Sequence, residues 1–250
     1  MPTLITLLTD FGTADGYVAE MKGVLLSLAP EAGLVDASHD VPPQDVELGR
    51  LSLARYWRRF PEGTVHLVVV DPGVGTSRRA IAVASHGRFL VGPDNGVLSP
   101  ALLMPDAEVV ELSIPHGASA TFHGRDVFAP AAARLAVGVP LSELGVPCTD
   151  GIIRRTPEAR RRDDGAMEGQ VITVDRFGNL ITNLLTTHSG VVRVGGYMLP
   201  LRRSYADAGT ESDGLVALVG SSGLIEIALR DGSAAGLLGL ERGAAVVLER

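Results

Sequence analysis

Of the 22 basic residues in this 250-residue chain, only Lys22 is a lysine. That leaves Schiff-base chemistry and a Walker-type phosphate loop to one residue in an unsuitable context. Cysteine is equally scarce. Cys148 stands alone, which excludes an internal disulfide and a cysteine metal cluster, and it reads as a small residue, buried or partly exposed. No apolar run approaches the roughly 18 residues a spanning helix needs. The N-terminal MPTLITLLTDFG has no basic leader and meets acids early, so a soluble, cytoplasmic protein is expected. A net charge of −7 argues against a nucleic-acid backbone as partner. The arginine clusters at 154–162 and 202–203 read as solvated faces or linker. G-x-G-x-x-G, G-x-x-x-x-G-K-[ST], H-E-x-x-H and G-x-S-x-G are all missing. The six histidines lack metal-ligand spacing, and no metal or cofactor is expected.

What is present has two textures. Over residues 1–150, short β-branched runs alternate with helical patterns: TLITLL, GLVDAS and VHLVVV as strands, then AIAVAS, RFLVG and AEVVEL. A helix is expected from about Asp15, as its cap, to residue 29, with Tyr17, Met21, Val24, Leu25 and Leu28 on one face. A second is expected within 43–60, and a third over DVFAPAAARLAVG, with Pro130 in its first turn and Gly138 at its end. This alternation argues an α/β domain with a Rossmann-like, mostly parallel sheet. Residues 151–168 are charged, carry Pro157 and Gly165, and read as a linker. From 169 to 250 short β runs (QVITVD, LITNLL, VVRVGG, LVALVG, LIEIAL, AAVVLE) are separated by Gly, Asn, Asp and Ser, the pattern of an all-β barrel or sandwich.

In open α/β sheets, ligands bind beyond the carboxyl ends of the strands. Asp10 follows TLITLLT and Asp71 follows VHLVVV, with Asp15 close behind; three carboxylates can face one crevice, or cap turns and a helix. His123, in ATFHGRDVF, differs in context from His39, His66, His86, His116 and His188, which read as structural. VDRFGNLITN places Asp175, Asn179 and Asn183 around a turn, as turn chemistry or as recognition of a polar ligand. GSSG at 220–223 is either a turn or a backbone anion nest.

Six ordered stretches, TDFGTADGYVAEMKGV, VVDPGVGTSRR, VGPDNGVLSP, TFHGRDVFAP, VDRFGNLITN and GSSGLIEIAL, resemble the SAM hydroxide adenosyltransferase family along essentially the whole chain. Its members hydrolyse S-adenosyl-L-methionine (SAM) to adenosine and L-methionine and are related to fluorinases and chlorinases. The resemblance implies an N-terminal Rossmann-like domain, a C-terminal β-barrel and a homotrimer with its ligand at subunit interfaces. It also implies roles. Asp10 resembles the acid holding the ribose hydroxyls, and Asp15 and Asp175 resemble acids near the methionine ammonium. Asn179 resembles the adenine-reading amide and Ser221 the serine at the methionine carboxylate, with Ser222 beside it where fluorinases carry arginine. Asp71, Arg78 and His123 resemble the Asp–Arg–His set of the hydrolase branch. Asp71, Val74, Gln44 and Gly124 each depart from the fluorinase residue at that position, which points away from halide. A carboxylate at the attack site would itself repel an anion by about a few kcal/mol.

The reaction so implied is attack of water on the ribose 5′ carbon, with a neutral thioether leaving. A sulfonium and an ammonium suit a carboxylate-rich site. Asp71, Arg78 and His123 are expected to position the water and disperse its proton; whether Asp71 or His123 accepts it stays open at this level.

Overall fold

The computed structural model describes residues 3–185, 189–209 and 212–249. His188 lies outside these. The chain divides into two compact units, the first ending at Arg155 and the second starting at Thr156.

In the first unit, β1 (Leu4–Thr9), α1 (Tyr17–Leu28), β2 (Gly33–Ser38), α2 (Val46–Tyr56) and β3 (Val65–Val69) are followed by the hairpin β4 (Ala80–Ser85) and β5 (Arg88–Pro93). Then come α3 (Ser99–Leu102), β6 (Glu108–Leu112), α4 (Ala129–Ala136) and β7 (Gly145–Pro147). The seven strands form one sheet in the order β2-β1-β3-β5-β4-β6-β7. Neighbours from β2 to β5 run parallel, and the β4, β6 and β7 flank pairs antiparallel. Successive side chains of a strand face opposite ways. Ile5, Leu7, Val65, Leu67 and Val69 therefore pack with Met21 and Leu25 of α1 and with α4, whereas Leu8, Val68 and Val70 pack with Val46 and Leu53 of α2 and with Trp57. With α1 and α2 on opposite faces, the chain leaves β1 in one direction and returns to β3 from the other. The crevice between β1 and β3 is a topological switch point, the usual ligand position in such sheets.

Local chemistry explains the helix ends. Asp45 caps α2 by accepting the Leu48 N–H at 3.0 Å. Asp15, expected to cap α1, does not. The N-cap is Gly16 at φ 81°, a left-handed conformation that glycine adopts without strain. Tyr17 and Leu28 stay exposed, and Val18, Met21 and Leu25 are the buried stripe. The helix expected over 126–138 begins as a π-turn, Gly124–Phe128, and becomes regular only at Ala129. Pro130 has no N–H to give to the preceding turn, so the hydrogen-bond register can change there.

The second unit holds β8 (Arg160–Arg161), β9 (Met167–Val174), β10 (Leu180–Leu185), β11 (Val191–Val194), β12 (Tyr197–Arg202), β13 (Leu215–Val219), β14 (Leu224–Leu229), α5 (Ala234–Leu238) and β15 (Ala245–Glu249). The order β10-β14-β13-β12-β11-β15-β9 closes through a β9–β10 pairing into a seven-stranded barrel, with β8 added on β9. Its interior is aliphatic: Val171, Leu180, Leu184, Val192, Leu199, Ile225, Ile227 and Val246. The stretch 151–168, expected as linker, is tied down in parts. The Ile152 N–H donates to buried Asp94 at 2.7 Å and the Arg154 N–H to Ser99 Oγ at 2.8 Å, while Arg160 and Arg161 pair with β9.

Candidate active site

β1 and β3 run in register, Thr9 opposite Val69, so the chain delivers Asp10 and Asp71 side by side beyond their carboxyl ends. After Asp71 the DPGVGTSRR turn doubles back. Gly75, at φ 75°, lies so close to the Ala120 carbonyl that a Cβ would sit 2.2 Å from its oxygen. The turn is thereby pressed against the segment that carries His123, and it brings Arg78 under Asp71.

Arg78 holds the two together. Its Nε donates to Asp71 Oδ1 at 2.9 Å and Oδ2 at 3.1 Å, and its Nη2 makes a further short contact to Oδ2. The same Nη2 donates to His123 Nδ1 at 2.9 Å. Both charged side chains are under a tenth exposed, and the guanidinium lies 5.2 Å above the Phe128 ring. Guanidinium can only donate, so His123 Nδ1 is an acceptor and the neutral ring carries its proton on Nε2. Burial, reinforced by the neighbouring Arg78 cation, holds the His123 pKa below its ordinary value. His123 therefore offers an N–H rather than a lone pair at its free edge.

Asp10 sits partly buried beside this set. Its Oδ2 accepts the Gln44 N–H at 2.7 Å, and Gln44 takes φ 67° to make that bond. Burial pushes the Asp10 carboxyl above the ordinary carboxylate range; the Gln44 hydrogen bond opposes this and the Asp71 charge adds to it. Two carboxyl groups against one guanidinium leave the crevice suited to a cation. Phe11, Tyr17 and Phe122 form an edge-to-face ring cluster next to Asp10, with centroids 5.3–6.0 Å apart. Asp15 is exposed on the approach to α1 and is not drawn into the Asp71–Arg78–His123 contacts.

In the barrel, Asp175 and Asn179 belong to one turn between β9 and β10. Asp175 Oδ1 accepts the backbone N–H of Phe177 and of Asn179, and Oδ2 accepts Asn179 Nδ2, each at 2.9 Å. A carboxylate only accepts, so the amide orientation of Asn179 is determined, which leaves its Oδ1 and its second amide hydrogen for other partners. Asn183, expected near the same turn, is instead spent within the barrel wall on the Gln170 N–H and the Pro157 carbonyl. Ser221 is exposed in the GSSG turn between β13 and β14, which closes with Gly223 at φ 83°. Leu180 pairs with Ile227 and Leu185 with Leu224, which puts the 175–179 and 220–223 turns at opposite ends of this ladder. They are at least ~10 Å apart along the strands, three residues of β14 at about 3.3 Å each.

Among the histidines read as structural, His66 is fully buried against Thr6, His39 is buried, His86 contacts Asp106 at 3.1 Å, and His116 is exposed. Sequence reasoning missed Gln44 as the grip on Asp10 and Phe128 as the floor under Arg78. A positive φ leaves no mark at a glutamine, and a core phenylalanine looks like any other. Among the described residues no cluster of His, Cys, Asp or Glu is arranged to hold a metal ion.

Residues 5–145 match the SAM hydroxide adenosyltransferase N-terminal domain and residues 169–247 its C-terminal domain. The chain is 43% identical to the (R)-S-adenosyl-L-methionine hydrolase of Thermus thermophilus, covering 98% of both chains. It is 45% identical to that of Salinispora arenicola, covering 96% of this chain and 95% of the relative. A fluorinase of Nocardia brasiliensis is more distant, 31% identical over 97% and 95%. The crystal structure of an uncharacterized conserved protein from Thermotoga maritima superimposes with a TM-score of 0.87 at 33% identity, over 98% of this chain and all of that one. With both domain matches in order and full-length relatives well above 30% identity, the chain belongs to the SAM hydroxide adenosyltransferase family.

Proposed function

We propose that this protein hydrolyses S-adenosyl-L-methionine, releasing adenosine and L-methionine, without a cofactor. The observation that carries the reading is the Asp71–Arg78–His123 chain, whose donors and acceptors fit the roles given to each group here. Water has a pKa of about 15.7 in bulk and is a poor nucleophile. Asp71 accepts one of its hydrogens, and the His123 Nε2–H fixes it from the other side, placing the oxygen about 3–3.5 Å from the 5′ carbon in line with sulfur. His123 in this tautomer has no lone pair free at its outer edge, so it orients and Asp71 takes the proton. A strong base is not needed, because attack by neutral water yields a protonated alcohol, itself a strong acid. Arg78 holds both partners and prevents either from turning away.

The remaining residues divide the substrate. Asp10, clamped by Gln44, binds the ribose hydroxyls. Asn179, its Nδ2 held by Asp175, accepts at Oδ1 from an exocyclic amine such as that of adenine. Ser221 binds the methionine carboxylate, and an elongated substrate suits its separation from Asn179. Asp15 and Asp175 are the acids proposed for the ammonium, Asp175 also building the turn that presents Asn179. The activity named for the 43–45% identical relatives supports this reading, and the Asp71 and Asp10 charges disfavour a halide nucleophile. We further place the protein in the cytoplasm as a homotrimer with sites at subunit interfaces, on the family resemblance; light scattering of the purified protein tests the trimer. The decisive assay is chromatography after incubation with SAM. Adenosine and methionine in equal amounts are expected; a 5′-halogenated adenosine in chloride or fluoride, or binding without methionine release, overturns the assignment.

A further inference from the structure

His39 is buried, stands outside the Asp71–Arg78–His123 set, and has no part in the chemistry above. Its Nδ1 lies 2.8 Å from Thr9 Oγ1, and its Nε2 lies 3.0 Å from Asp36 Oδ1, a close contact though poorly aligned for a hydrogen bond. Asp36 in turn pairs with the only lysine, Lys22, at 2.6 Å. Carboxylate, imidazole and hydroxyl in that order is how enzymes activate a hydroxyl nucleophile. Thr9, however, is fully buried at the end of β1, and its oxygen is already engaged by the Phe11 N–H at 3.3 Å. No substrate atom reaches it, so the arrangement serves another end.

The hydrogens along the chain are assigned from its two ends. A lone pair on Nε2 would face the Asp36 carboxylate and be repelled, so Nε2 carries the ring proton. Nδ1 is then an acceptor and takes the Thr9 hydroxyl hydrogen, and the Thr9 oxygen receives the backbone N–H of Phe11. Every donor points the same way, from the peptide that joins Asp10 to Phe11 outward to Asp36. The His39 backbone carbonyl adds a second hold by accepting the Gly12 N–H at 2.9 Å. The turn 10–12 is thus gripped twice by one residue, and five residues later Gln44 grips the Asp10 carboxylate itself.

We propose that His39 is a positioning residue for Asp10: through Thr9 it sets the turn that aims the Asp10 carboxylate at the substrate. This rests on the reading that Asp10 binds the ribose hydroxyls. Shape decides which replacements work. In His39→Asn the side-chain oxygen takes the place of Nδ1 and still accepts from Thr9, whereas His39→Gln keeps a donor only toward Asp36. Thr9→Val has the same size but no hydroxyl, and Thr9→Ser keeps it.

The test is steady-state kinetics with SAM on these four variants, on Asp10→Ala and on Asp10→Ala/His39→Gln, each checked for a cooperative melt. Losing one buried hydrogen bond to the turn is expected to raise KM roughly five- to tenfold in His39→Gln and Thr9→Val, with kcat much less affected. His39→Asn and Thr9→Ser are expected to restore most of it, a pattern that a general loss of packing would not produce. His39→Gln is expected to add nothing to Asp10→Ala. An unchanged KM in Asp10→Ala defeats the ribose reading and this proposal with it. A raised KM in Asp10→Ala with wild-type KM in Thr9→Val, or with fully additive effects of Asp10→Ala and His39→Gln, overturns the proposal alone. If His39→Gln does not fold, Thr9→Val and Thr9→Ser carry the test.

Discussion

Replacing Asp71 by Asn keeps the shape of the side chain and removes its charge and one acceptor oxygen. Arg78 makes three contacts to the carboxylate. The Asn oxygen can retain part of them, but the amide nitrogen then sets a donor against the guanidinium donors. Both side chains are under a tenth exposed, so Arg78 is left as a nearly buried cation. Breaking such a pair costs about 3–5 kcal/mol of folding stability. Against an ordinary reserve of about 5–15 kcal/mol, the variant should fold with a lowered Tm. The catalytic loss is separate. On the role proposed for Asp71, removing the group that takes the proton should lower kcat about 10²–10⁴-fold, roughly 3–5 kcal/mol of barrier. The assay is chromatographic release of adenosine at saturating SAM, with SAM affinity measured by calorimetry and folding by a thermal melt. A folded Asp71→Asn protein whose kcat stays within about threefold of the parent refutes the role given to Asp71.

Gly75→Ala puts a Cβ 2.2 Å from the Ala120 oxygen at a φ of 75°, pushing the Asp71–Arg78 turn off the His123 segment; kcat should drop more than affinity, and parental kinetics would show that this close approach is dispensable. His123 must be neutral at Nδ1 to accept from Arg78, and its pKa is held below the ordinary value of 6.5, so activity should persist below pH 6.5 before its acid limb begins. A kcat profile already falling above pH 6.5 contradicts this. His66 is buried against Thr6, Trp57 and Tyr56, and burial pushes its pKa down to about 4 from 6.5. Its depressed pKa means that stability is complete above pH 6.5 and is lost as pH falls from there toward 4, by up to roughly 3 kcal/mol. Urea unfolding across this range should show the loss, and His66→Asn, which cannot take the proton, should flatten it. An equal slope in both proteins would place the acid sensitivity elsewhere.

The sequence by itself carried the chemistry of the first unit. Strand periodicity located β1 and β3, and the position of Asp10 and Asp71 just beyond them follows from chain order alone. The change of texture after residue 168 announced an all-β unit, barrel or sandwich, because short runs punctuated by Gly and Asn do not sustain helices; the β9–β10 pairing that closes the barrel is tertiary. What only tertiary structure decided is what each polar atom is doing. That His123 accepts at Nδ1 depends on Arg78 arriving from a turn 45 residues earlier in the chain, and that Asn179 spends an amide hydrogen and keeps its oxygen depends on Asp175 closing on its amide. His39 read as structural for the same reason: a histidine shows its acceptor and donor partners only when Thr9 and Asp36, from two neighbouring strands, are folded to either side of it. Residue types are set by the chain, but hydrogen-bond direction is set by the neighbour across the gap, and that neighbour is chosen by the fold.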